Sequence, residues 1–159
     1  MRIARQAARV VVTDPAGAVF LFRYENQEDG VYWTPPGGGL EPGESPEQGA
    51  LRELREETGW DDLPLGPLLC RWEHDFTRAG VPVRQYEHIF LASGPHRALV
   101  GDLAAEHAAD RIQGGRWWPP DELAAATDTL WPPQLPSLLT TVRTQGPPPT
   151  PLDLDSTLS

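Results

Sequence analysis

Lysine is absent from this chain of 159 residues, in which all 13 basic residues are arginine. Any basic contact to a phosphate must therefore come from arginine or histidine, and arginine's planar fork pairs well with phosphate oxygens. Abundant Ala, Gly and Pro accompany the bias, as GC-rich coding would produce, so it bounds the donor type and nothing more. A single cysteine, Cys70, excludes an intramolecular disulfide and fits a reducing, cytoplasmic compartment. We read it as a small buried hydrophobe. No run of 18 apolar residues occurs, which excludes a helical membrane span. The N-terminal MRIARQAARVVVTD lacks the apolar core of a secretory signal. The net charge of −10 argues against general binding to a nucleic-acid backbone, and no DNA-binding domain is apparent. A small anionic substrate stays open, because a bound cation reverses the local field.

What the chain does contain is concentrated in Gly38–Trp60, GGLEPGESPEQGALRELREETGW. Ser45 is a good N-cap, Pro46 a good first helical residue and Gly59 a C-terminal stop, so a helix is expected from Ser45 to Thr58. At about 100° per residue, Glu53, Glu56 and Glu57 share roughly a third of its circumference. Ala50, Leu51, Leu54 and Thr58 form the expected buried side, with the acids opposite. Like charges at i, i+3 and i+4 cost a few tenths of a kcal/mol per pair. A hard divalent cation, Mg²⁺ or Mn²⁺, would offset that repulsion.

The rest of the chain reads as one domain. Residues 8–13 and 18–24 are β-rich runs around the turn Asp14-Pro15-Ala16-Gly17, and thus a hairpin. A short extended piece is expected at Val31–Trp33. Strands are expected over 66–77 and 82–93, joined at Arg78-Ala79-Gly80. Residues 94–115 read as a long polar connection. Arg116–Trp118 reads as a short strand, Pro119–Leu123 opens a short helix, and a last helix spans about Gln134–Thr144. Residues 1–145 form the domain, and the proline-rich tail 146–159 is expected to be disordered.

The spacing of Gly38, Glu44, Arg52-Glu53, Glu56-Glu57 and Gly59 resembles the Nudix box of MutT-like pyrophosphohydrolases, with Trp60 where an aliphatic residue is usual. WTPPGGGLEPGE and RWWPPDEL extend the resemblance over residues 6–145. It implies an α/β/α sandwich with a mixed sheet between helices. It also implies a metal-dependent hydrolase cleaving the diphosphate linkage of a nucleoside diphosphate derivative or nucleoside triphosphate. The alternative is a noncatalytic Nudix-fold module that binds a nucleotide-like ligand.

By that resemblance Glu53 and Glu57 are metal ligands, and Glu56 shares the metal or deprotonates the attacking water. Arg52 orients the carboxylates, while Glu44, Gly38 and Gly59 support the loop and helix. A general base outside the box is also open; Glu106 is the first candidate, followed by Glu87 and Glu73. Arg23, at the end of a strand, is placed to meet a phosphate. Trp33, Phe76, Trp117 and Trp118 are candidates for stacking on a base. Many members of the family dimerise, but nothing in this sequence demands a homodimer.

Overall fold

The computed structural model describes residues 1–27 and 29–154. Nine strands among them form one sheet: β1 (Ile3–Thr13), β2 (Val19–Asn26), β3 (Gly30–Thr34), β4 (Gly37–Gly39), β5 (Leu68–Arg78), β6 (Val81–Ser93), β7 (Ile112–Trp118), β8 (Thr129–Leu130) and β9 (Leu152–Leu154). Four helices accompany them: α1 (Pro46–Thr58), α2 (Ala104–Asp110), α3 (Pro120–Ala124) and α4 (Leu135–Gln145). The sheet order is β8-β3-β2-β1-β6-β5-β9, with β4 added to β1 and β7 to β2. β1 runs parallel to β6 and antiparallel to β2 and β4, so the sheet is mixed as expected.

Alternation along the strands decides which helix each side chain meets. Val10 and Val12, Phe20 and Phe22, and Phe90 and Ala92 pack with Ala50 and Leu54 of α1. Val11, Val19, Leu21, Ile89 and Leu91 point the other way, toward Leu135, Leu138 and Leu139 of α4. Each large apolar side chain buried in these layers contributes about 1.5–3 kcal/mol. The result is the expected α/β/α sandwich.

β4 and β8 are strands the sequence reading does not include, and four further elements differ from it. β1 begins at Ile3, because its first half pairs along β6 and β4. The expected long connection contains α2, a helix that buries none of its residues and so carries no apolar stripe to reveal it. β7 starts at Ile112 and takes in Gly114 and Gly115. A Cβ on Gly115 would lie 2.4 Å from the Phe20 ring, so a bare backbone is required there. In the tail, Leu152–Leu154 pairs in parallel with β5, and Leu154 packs on the α4-side core. The expectation of disorder is therefore not met at those three residues; residues 155–159 lie outside the described residues.

Ala79 and Gly80 form the two-residue turn between β5 and β6, with φ of 50° and 80°. Positive φ at both positions is the type I′ geometry that favours Asn-Gly, and a Cβ there costs about 1 kcal/mol. Ala79→Asn should raise the unfolding free energy by about 0.5–1 kcal/mol. The check is a higher urea midpoint at unchanged m-value.

Candidate active site

α1 is anchored at both ends. The Ser45 hydroxyl accepts from the Gln48 amide at 3.1 Å, and the Gln48 side chain accepts from the Ser45 amide at 2.9 Å. At the other end Gly59 is left-handed at φ 78°, and a Cβ there would lie 2.0 Å from the Val100 carbonyl oxygen. Gly59→Ala combines a φ penalty with a backbone clash and should cost about 2–3 kcal/mol, read as a lowered thermal midpoint.

The acids do not sit opposite the apolar face. Glu53 and Glu57 are buried alongside Ala50, Leu54 and Thr58, whereas Leu51 is exposed. The glycine strand β4 explains how α1 tolerates this. Gly37 donates its amide to Glu57 Oε1 at 2.9 Å. A Cβ on Gly38 would lie 2.8 Å from Glu53 Oε1, so a side chain there would displace that carboxylate.

Asp110, the last residue of α2, completes the arrangement. Glu53, Glu57 and Asp110 each offer an oxygen, and these atoms all lie within 4.8 Å of one another. Burial pushes Glu57 well above the ordinary carboxylate range, and neighbouring Glu53 adds to the rise. Burial likewise raises Glu53, against the pull of Arg52. Glu57 Oε2 is buried without a hydrogen-bond partner among the described residues. A hard divalent cation fits this donor set: it takes carboxylate oxygens, relieves their repulsion and supplies the missing partner.

Arg52 organises the surroundings. Its guanidinium donates to Glu44 at 2.7 and 3.0 Å, to the Gly39 carbonyl at 3.0 Å, to Glu53 at 3.1 Å and to Glu56 at 3.2 Å. These hydrogen bonds hold Glu44 down at about 2, so it stays ionised as the partner that fixes Arg52.

Beside the carboxylates opens a cavity of about 300 Å³. Arg5, Arg9, Arg78 and Arg111 line it, together with Phe76 and Trp131. Beneath its floor Glu87 is 1% exposed and accepts from Arg9, from His74 at 2.6 Å and from Gln85 at 3.0 Å. Gln85 in turn accepts from Arg5. Burial lowers the Arg5 pKa, and repulsion from Arg78 and Arg9 adds to the effect, so an anion in the cavity would be welcome.

The structure thus brings together Glu53, Glu57, Gly38, Arg52 and Glu44 of the expected set. Glu56 sits on the rim of the cluster, its side chain 38% exposed and held by Arg52. Glu106 lies one turn before Asp110 on α2, exposed and outside the cluster. Glu73 is exposed on β5. Glu87 is sealed beneath the cavity with its oxygens occupied, and so is unavailable as a base. Arg23 does not line the cavity; its guanidinium is engaged with Gln113 and Glu25. Of the four aromatics proposed for stacking, Phe76 alone lines the cavity. Arg5, Arg9, Arg78, Arg111, Asp110 and Trp131 were not indicated by any local motif.

A family model described as the NUDIX domain matches residues 4–139. The chain belongs to the Nudix family. Among its relatives is an RNA pyrophosphohydrolase of Erythrobacter litoralis (strain HTCC2594), 30% identical over 131 residues, which cover 75% of this chain and 78% of that protein. An 8-oxo-dGTP diphosphatase of Proteus vulgaris is 43% identical over 67 residues, spanning 42% of this chain and 59% of that one. Two solved structures share the Nudix fold. The dihydroneopterin triphosphate pyrophosphohydrolase of E. coli has a TM-score of 0.65 at 22% identity and covers 90% of this chain and 99% of its own. The MutT protein of Methanosarcina mazei Go1 has a TM-score of 0.66 at 15% identity and covers 91% and 96%. This Nudix protein is a hydrolase of the class that acts on phosphoanhydride bonds. No helix among its described residues is long and apolar enough to cross a membrane.

Proposed function

We propose that this Nudix hydrolase uses Mg²⁺ or Mn²⁺ to cleave the diphosphate linkage of a nucleoside triphosphate or a nucleoside diphosphate derivative. The observation that carries the reading is the convergence of Glu53, Glu57 and Asp110 within 4.8 Å, beside a cavity lined by four arginines. Those three carboxylates would hold the cation, which neutralises phosphate charge and lowers the pKa of water. The arginines then take up the remaining phosphate charge in a partly enclosed site, where each contact is stronger than in bulk water. Arg52 keeps Glu53 in place while also holding Glu56 at 3.2 Å. Glu56 is the box carboxylate outside the cluster, and we assign it the proton of the attacking water. Phe76 and Trp131 offer ring surface for a base. Two relatives are named for RNA and for an oxidised guanine nucleotide, which supports a nucleotide at this site.

The test is a panel of canonical and oxidised nucleoside triphosphates, ADP-ribose, dinucleoside polyphosphates, nucleotide sugars and 5′-triphosphate RNA, assayed with Mg²⁺ and with Mn²⁺. Cation-dependent release of phosphate, pyrophosphate or a nucleoside monophosphate from at least one of them is expected. A folded, cation-binding protein that turns over none of them would instead be a noncatalytic binding module.

A further inference from the structure

α2 presents a physical problem. It has seven residues, buries none of them and has no side-chain cap at Leu103. A helix this short is not stable by itself in water. Yet it delivers Asp110 to within 4.8 Å of oxygens from Glu53 and Glu57. Buried Ile112, just beyond it, fixes one end of the segment without setting the helix's orientation.

His107 supplies the other anchor. Its Nε2 lies 2.8 Å from the backbone carbonyl of Glu57, and its ring packs edge-on against Phe22 at 5.3 Å. The Glu57 carbonyl belongs to the last turn of α1, where carbonyls lack helical partners. An imidazole N–H that satisfies it ties α2 to the residue whose carboxylate faces Asp110. His107 and Asp110 are three positions apart, so they share one side of the helix. Arg111 closes that helix in the left-handed region at φ 62° and lines the cavity, so the same docking also places a cavity arginine.

We propose that His107 is a positioning residue: it docks α2 on α1 so that Asp110 completes the carboxylate cluster. The proposal rests on the cation reading above. Its test therefore includes one measurement that needs no cation.

Mn²⁺ affinity is read from the electron paramagnetic resonance signal of the free ion, titrated into metal-free protein. His107→Ala should weaken binding about tenfold, within the range for residues that orient metal ligands. His107→Gln, which keeps an N–H donor, should recover most of that loss. Because His107 acts through Asp110, His107→Ala combined with Asp110→Asn should bind no more weakly than Asp110→Asn alone. Hydrogen exchange without metal should speed up at residues 104–110 in His107→Ala and leave α1 protected. Wild-type affinity in His107→Ala, multiplicative losses in the double variant, or unchanged exchange over α2 would each overturn the positioning role. Failure of the wild type to bind Mn²⁺ would overturn the cation reading as well, whereas wild-type binding that His107→Ala leaves intact sinks the positioning role alone.

Discussion

Glu57→Gln is expected to lower kcat by about a thousandfold, near 4 kcal/mol of transition-state stabilisation, while making the metal-free protein more stable. The glutamine keeps an oxygen to accept the Gly37 amide, which reaches Glu57 Oε1 at 2.9 Å. What it removes is a negative charge that is nearly sealed from water and faces Glu53 and Asp110. Burial, then Glu53, raises the folded-state pKa of Glu57 well above the ordinary 4.5 of a glutamate. A raised acid favours the folded state when protonated. Stability on this account is fully present below pH 4.5 and falls as pH rises through the folded pKa. The glutamine cannot lose that proton, so at pH 8 its metal-free melting temperature should exceed wild type by roughly 3–5 °C. Mg²⁺ should raise the wild-type melting temperature and leave the variant nearly unmoved. Thermal melts at pH 5 and pH 8, with and without Mg²⁺, separate this from simple loss of fold.

Glu87→Ala should be the most damaging single change to stability, at about 3–5 kcal/mol, because it strands Arg9 in the interior without its counter-charge. Arg9 is 8% exposed and Glu87 1%. Burial pushes the Glu87 carboxyl up, but Arg9 and then His74 outweigh it and hold it down at about 2. The sign is opposite to that for Glu57. A depressed acid stabilises the fold above its unfolded pKa of about 4.5, and that stability disappears as pH falls toward 2. Wild type should therefore lose about 3 kcal/mol from this group across that window. Glu87→Gln, weaker at neutral pH, should show a flatter acid limb in urea titrations at pH 5 and pH 3.

Local signals in the sequence specify part of this structure. Ser45, Pro46, Gln48 and Gly59 bound α1 through hydrogen bonds within a few residues of one another. The β5–β6 hairpin likewise follows from alternation and a glycine turn. The spacing of the box acids, which carries the family resemblance, is itself local to one loop and helix. What failed needed long-range information. Amphipathic logic put the acids opposite Ala50 and Leu54, but the strand of three glycines lets Glu53 and Glu57 turn inward instead. On the later segment the sequence points to Glu106 as a base, whereas the residue that joins the carboxylate cluster is Asp110, one turn further along, since α2 has no buried stripe to fix its phase. Position at a strand end is all that points to Arg23. The cavity's arginines come from β1, β5 and the end of α2, which meet only when β1 pairs with β6. The β9 strand has no local signal, because three residues in a proline-rich tail carry no periodicity of their own.

The central claim is that Glu53, Glu57 and Asp110 together hold the catalytic cation. Anomalous difference maps from crystals soaked in Mn²⁺ test it most directly. The account predicts a peak within about 2.0–2.3 Å of an oxygen from each of these three residues. A peak held by Glu56 or Glu106 with Asp110 uninvolved, or no peak at saturating Mn²⁺, would contradict it.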